Sequence, residues 1–334
     1  MYHVASVTRL IFAFLLLPAT LAAQVRPAPA PSVSPADGDR RLPITMAPGG
    51  LRQLTAEEND ERDPVFSPRG DVFAVSSNRS GTFELWLYPS RQGGIRQLTS
   101  NSTDAQDIAP DWHPNANALL FQSNRIGGIP NIWRYNFSER GITQLTISKF
   151  GAEGARYSPD GNQIVFTMYD AAARRSIWMM DAEGRNPTLL TDGFDPSWSP
   201  DGRTIVFART VREGSDRTTD IWLMDVDGTN PRRLTTEKSK SETAPRFSPD
   251  GQTILFEMTW NPTDSVSATP TRRILREIWM IGVDGQNARQ LTLYQGSRPS
   301  WSPDGRMAIF SSARGSSQDV WMIQPTVPNT VSRP

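Results

Sequence analysis

The 334-residue chain contains no cysteine, and its two histidines are His3 and His113. The first absence excludes a disulfide framework and a lipid anchor attached through cysteine. The second leaves a Ser-His-Asp relay dependent on His113, which sits inside a tight turn, and leaves histidine-clustered metal chemistry unsupported. A charge bias is also missing: 35 basic residues face 35 acidic ones. No global positive field exists to drive nucleic-acid binding, and no Lys- and Arg-rich amphipathic helix is present to lie on a membrane. The apolar run from Leu10 to Leu17 is too short for a helix that crosses a bilayer. With Arg9 before it and Ala19, Ala22 and Ala23 after it, the run reads as a secretory signal peptide over residues 1–23. Export follows, to the periplasm in the simplest case, with full secretion left open.

What the chain does contain is a phrase repeated six times: Ser67-Pro68-Arg69-Gly70, His113-Pro114-Asn115-Ala116, Ser158-Pro159-Asp160-Gly161, Ser199-Pro200-Asp201-Gly202, Ser248-Pro249-Asp250-Gly251 and Ser302-Pro303-Asp304-Gly305. The intervals are 46, 45, 41, 49 and 54 residues, the period of a four-stranded propeller blade. Pro presets φ for the second turn position and Gly accepts positive φ, so each phrase predicts a tight hairpin turn. An aromatic precedes every turn (Phe66, Trp112, Tyr157, Trp198, Phe247, Trp301), and a short β-branched and aromatic run follows it, as in Ile205-Val206-Phe207. A third piece carries Trp86, Trp133, Trp178, Trp222, Trp279 or Trp321, expected to pack between blades, and a fourth ends in Leu-Thr. One Leu-Thr copy, Leu54-Thr55, precedes the first turn, and none follows the last tryptophan strand. The expectation is an all-β, six-bladed propeller over residues 51–324, closed by pairing Leu51 to Leu54 with the last strand. Residues 24–50 read as a Pro-rich linker and 325–334 as an unstructured tail.

The order aromatic-Ser-Pro-Asp-Gly, strand, Ser-Asn-Arg-x-Gly (Ser77 to Gly81, Ser123 to Gly127, loosely Ser311 to Gly315), Trp strand, Leu-Thr resembles the C-terminal propeller of the TolB family across residues 51–324. TolB itself has an α/β domain ahead of its propeller, where this chain has the Pro-rich stretch. The resemblance implies a monomeric, non-catalytic periplasmic propeller that binds a protein or peptide in the cell envelope, with a Pal-like lipoprotein of the Tol-Pal system as the implied partner.

Function is expected on the face opposite the turn phrases, where connections are long and varied. Two segments are read there as long basic loops: Arg209 to Asp220, with Arg212 and Arg217, and Trp260 to Arg276, with Arg272 and Arg273. The connections into the innermost strands carry Glu61, Asp63, Asp107, Glu153, Asp195 and Glu242, with Arg298 in the last copy. These are expected to ring the channel mouth and bind a partner's basic group or a cation such as calcium, no other cofactor being implied. The alternative function is a carbohydrate-active enzyme, a lyase or a glycosidase, using paired carboxylates across that mouth; propeller-shaped oligogalacturonate lyases resemble the repeat too.

Overall fold

The computed structural model describes residues 46–47 and 50–325, apart from 92, 102–103, 215, 261–273, 293–294 and 315–316. The signal segment, nearly all of the linker, the tail beyond Pro325, and Arg272 and Arg273 lie outside the described residues.

Among the described residues every regular element is a β-strand. The repeat unit is an antiparallel meander, shown by Glu61–Phe66, Val72–Ser77, Glu84–Pro89 and Arg96–Gln97, each paired with the next. The first strands of successive meanders, Glu61–Phe66, Asp107–Trp112, Ala152–Tyr157, Phe194–Trp198, Ser241–Phe247 and Gly296–Trp301, touch in that order, and the last touches the first. They therefore line the axis of a closed ring. Closure uses both ends of the repeat array: Leu51–Gln53 pairs antiparallel with Asp319–Ile323, and Met46–Ala47 adds one further short strand. The all-β propeller class is thus the observed one. Among the described residues hydrogen-bonded sheets number five rather than six, because a single parallel bridge, Thr219 to Ser241, joins two adjacent meanders into one eight-stranded sheet.

Each turn phrase closes as its chemistry requires. The fourth residue donates to the carbonyl of the first at Gly70, Ala116, Gly161, Gly202, Gly251 and Gly305, all with positive φ. In four copies the serine Oγ donates to the phrase's own aspartate, as from Ser199 to Asp201 (2.6 Å), and accepts from the backbone five residues on. In the first copy Arg69 replaces the acid, and Ser67 donates to Asp71 instead (2.6 Å). Between blades the second-strand aromatics fill the core: Phe121, Phe166, Phe207, Phe256 and Phe310 are all fully buried.

The Leu-Thr ending is a lock between third and fourth strands. Thr55, Thr99, Thr146, Thr235 and Thr292 accept from Val320 N, Leu85 N, Ile132 N, Ile221 N and Ile278 N at 2.9–3.0 Å. Most third-strand tryptophans carry a cation on one face: Arg79 over Trp86, Arg125 over Trp133, Arg209 over Trp222, Lys240 over Trp279 and Arg314 over Trp321.

Arg209 to Asp220 is not a loop. Thr204–Glu213 and Asp216–Asp225 are ten-residue strands in continuous register, with Arg212 opposite Arg217 and Glu213 opposite Asp216. The β-branched run Thr204-Ile205-Val206 continues into Thr210-Val211, and Thr218-Thr219 lies across from it, so the ladder extends past the blade. Likewise the segment from Trp260 begins and ends as strand, with Trp260 opposite Leu275.

Candidate functional site

The sequence places an acid, Glu61 or Asp107, at the head of the first two innermost strands and Glu242 second in the fifth; none of the three reaches the channel. All three side chains are fully buried between blades, which corrects their expected position at the mouth. Ser77 donates to Glu61 (3.0 Å), Thr235 to Glu242 (2.6 Å), and Arg125 binds Asp107. Arg79 lies 3.6 Å from Glu61 and also binds Glu57. The arginine of each Ser-Asn-Arg sequence therefore covers the blade's tryptophan and meets the acid on the same blade's first strand. Burial pushes the Glu61 carboxyl up to about 7 against the pull of Ser77 and Arg79. Glu242 is likewise pushed to about 7 by burial, with Asp220 adding to it. These acids belong to the blade interfaces.

The channel is lined by residues one step further along. Each innermost strand contains a left-handed residue: Asp63, Ala109, Gly154, Asp195, Ala244 and Arg298, with φ between 51° and 63°. The strand register shifts at each of these places, which marks a β-bulge. A bulge breaks the two-residue alternation, so Glu61 points between blades while Asp63 points to the axis. Four of these bulges have their N–H met by the preceding blade's second strand: Ser311 Oγ accepts from Asp63, Ser76 Oγ from Ala109, Thr167 Oγ1 from Asp195 and Glu257 Oε2 from Arg298 (3.1–3.2 Å). For Ala244 the corresponding second-strand residue is Ala208, which has no acceptor, and Asp195 Oδ2 takes the bond at 3.2 Å.

Toward the loop-rich face, Asp63, Glu153, Asp195 and Arg298 line one cavity of about 120 Å³, so these expected site residues do come together. Arg298 Nη1 lies 3.2 Å from Asp195 Oδ1, and its Nε lies 3.9 Å from Asp63 Oδ1. Burial would raise Asp195, but Arg298 and then Arg246 hold it below the usual carboxylate range. Asp195 in turn raises Arg298. Glu153 is raised by burial and accepts from Tyr169 Oη at 2.6 Å. Among the described residues no group of three or more His, Asp or Glu side chains is placed to hold a metal ion. The acids expected to converge on a cation are divided between blade interfaces and channel, and those in the channel face an arginine.

Two sets of residues went unseen in the sequence. The first is Asp111, Arg156 and Arg246, each two positions beyond a left-handed bulge residue, which form the channel's waist. For Asp111 and Arg246 the signal was the proline that follows the bulge in five of six copies, Pro64, Pro110, Pro196, Pro245 and Pro299; Arg156 follows Ala155 in the copy that lacks it. The second is an apolar patch on the loop-rich face. Ile147 is 84% and Phe150 55% exposed, beside Ile129 and Ile126 at 36% and 49%. Asn131 ties the two loops together: its Nδ2 donates to Ile129 O and Ser148 O at 3.3 Å, and its Oδ1 accepts from Ser148 N at 2.7 Å. Of the hairpin arginines, Arg209 pairs with Asp192 at 2.8 Å, while Arg212 and Arg217 sit near the hairpin's exposed end.

The family model described as the TolB beta propeller domain matches residues 44–218. The chain belongs to the TolB beta propeller family. A curated relative, the Tol-Pal system protein TolB of Anaeromyxobacter dehalogenans, is 33% identical over 163 residues. The match covers 48% of this chain and 35% of that TolB, so the chain spans about a third of its relative's length. Among solved structures, the putative TolB from Agrobacterium tumefaciens superposes with a TM-score of 0.62 at 20% identity, covering 80% of this chain and 91% of that one. An oligogalacturonate lyase in complex with manganese superposes with a TM-score of 0.57 at 15% identity, over 87% and 96% of the two chains. Both likenesses concern the fold. Among the described residues of this TolB-family chain, no helix is long and apolar enough to cross a membrane.

Proposed function

We propose that this chain is an exported, non-catalytic binding propeller, periplasmic as in the Tol-Pal setting its relative's name gives, whose loop-rich face docks a protein and takes a peptide or loop of it into the channel mouth. A Pal-like envelope lipoprotein is the partner proposed, and a single propeller is the binding unit. The observation that carries the reading is the pair of exposed apolar loops at Ile129 and Ile147 to Phe150, clamped by Asn131 on the same face as the Asp63, Asp195 and Arg298 channel mouth. Clustered exposed apolar side chains on a rigid ring fit a protein interface. The mixed acid and arginine mouth fits a polar segment inserted from that partner. Addition of a strand is disfavoured, because the ring closes on itself and leaves only short edges.

The enzyme reading gains no specific observation. His113 packs edge-on against Tyr157 in its turn, with centroids 4.7 Å apart. Asp63 and Asp195 are both engaged by Arg298 rather than facing each other across an open gap.

A pull-down from envelope extract with residues 24–334 tests the proposal. Capture of a Pal-like lipoprotein by the wild type, and its loss with Ile147→Asp/Phe150→Asp, is the expected result. These two side chains are exposed, so the variant should unfold at the same temperature as the wild type. Capture unaffected by the double change, or new reducing ends when the protein is incubated with polyuronides, would overturn it.

A further inference from the structure

The turn-phrase face carries its own opening into the ring. A funnel of about 280 Å³ is walled by innermost-strand aromatics such as Trp112, Trp198 and Trp301 and by turn prolines such as Pro200 and Pro249. Its floor includes Asp111 and Arg246, and both residues also line the cavity on the loop-rich side. They are therefore the partition between two chambers. Arg156 joins them from the loop-rich side.

At this waist the guanidiniums of Arg156 and Arg246 lie by the Asp111 carboxylate, and Asp195 acts on both from the loop-rich side. Among the described residues, Arg246 Nη1 donates to the carbonyl of its neighbour Pro245 (2.7 Å) and Arg156 Nη1 to that of Ala155 (2.8 Å). Arg156 Nε is buried without a hydrogen-bond partner, and its nearest counter-charge, Asp111 Oδ1, stands 3.7 Å away. The other Asp111 oxygen is taken by Tyr157 N (2.9 Å). Two like charges side by side in a partly closed channel repel, and burial together with Arg156 pulls Arg246 down to about 9. Pro64, Pro110 and Pro299, which line the loop-rich cavity beside this level, have no backbone N–H to offer a ligand. Guanidinium forks match the planar, two-oxygen geometry of a carboxylate.

The geometry points to a second binding site, entered from the turn-phrase face, that takes a carboxylate on an apolar stem, its stem against the funnel aromatics and its oxygens on Arg246 at the funnel floor, with Arg156 beyond it. Two sources share that chemistry, a free aromatic acid and the C-terminus of a peptide ending in an apolar residue. The site goes beyond the proposed function and does not depend on it, since it opens on the opposite face from Ile147 and Phe150.

Calorimetric titration of the full chain with benzoate, with an acetylated tetrapeptide ending in Phe as free acid, and with the same peptide as amide tests it. At least one acid should bind and the amide should not; which acid binds tighter identifies the source. Arg156→Gln/Arg246→Gln should abolish the binding. Asp111→Asn removes the competing carboxylate and should tighten binding about tenfold, a gain that a misfolded variant cannot mimic. Absence of heat with both acids, equal binding of acid and amide, or an unchanged affinity in Asp111→Asn overturns the assignment. Capture through the loop-rich face is read separately with Ile147→Asp/Phe150→Asp, because Asp111, Arg156 and Arg246 also line the cavity on that side.

Discussion

Asp195 has two roles that the corresponding residues of other blades do not combine. It accepts from Ala244 N, where Ala208 leaves a bulge without an acceptor, and it holds Arg298 across the channel. Its neighbour in that pair of acids, Asp63, lies 3.9 Å from Arg298 and receives one long bond from Ser76 Oγ (3.3 Å). Replacing Asp195 by Ala strands a buried N–H, so Asp195→Ala should destabilise the ring by about 1–3 kcal/mol and Asp63→Ala by less. Denaturant unfolding of the two variants checks the order; equal effects would remove the bridging role. Alanine is no steric burden at either position, because Ala109 and Ala244 already hold the same left-handed conformation in other copies. The difference between the two variants therefore reports polar contacts rather than backbone strain.

At the scale of the element, the blade's local chemistry was readable and its side-chain directions were not. Turn phrases, the tryptophan strand and the Leu-Thr ending are set by interactions within a few residues or one neighbouring strand, and each occupies the place its pattern implies. Glu61 and Asp63 are two residues apart, which in a regular strand puts them on one face. The intervening bulge separates them, and its only sequence mark is the proline after it. The long hairpin from Thr204 to Asp225 was obscured by its charged tip, where Arg212, Glu213, Asp216 and Arg217 resemble loop composition although the ladder runs through them. The turns between third and fourth strands also touch the preceding blade. A β-carbon at Gly184, with φ of 80°, would lie 2.7 Å from the Leu145 carbonyl oxygen. Gly184→Ala should therefore cost well over 1 kcal/mol, read as a lower unfolding midpoint. Gly127→Ala is the control: the same φ class with nothing near it should cost only about 1 kcal/mol.

For the whole molecule, the interfaces between blades store protons. Glu61 and Glu242 are pushed to about 7 and Asp319 to about 6, all first by burial. Folding therefore takes up protons between the ordinary carboxylate range and pH 7, and the stability these groups contribute is present at low pH and lost as pH rises through their folded values. The turn aspartates act in the opposite sense. Asp160, Asp201, Asp250 and Asp304 are lowered, first by their serine hydrogen bonds, and their contribution disappears only as pH falls below the usual aspartate value. The melting temperature should thus be highest near pH 5 and fall toward pH 8, with a shallower fall in Glu242→Gln; a profile that rises between pH 5 and 8 would contradict this. Ring closure and the channel could be inferred from the phase of the repeats, whereas the apolar patch could not, because Ile147 and Phe150 are single residues in a short connection whose neighbour, the Ile129 loop, is brought beside it only by folding.

In the proposed function a segment of the partner enters at the channel mouth. Ala109 faces that cavity, and its left-handed backbone already carries a β-carbon, so Ala109→Tyr adds bulk there without a new backbone demand. The measurement is the dissociation constant of the captured envelope partner for the wild type and for Ala109→Tyr, with equal melting temperatures as the check on folding. Loss of affinity by tenfold or more is predicted, and unchanged affinity would contradict entry into the channel.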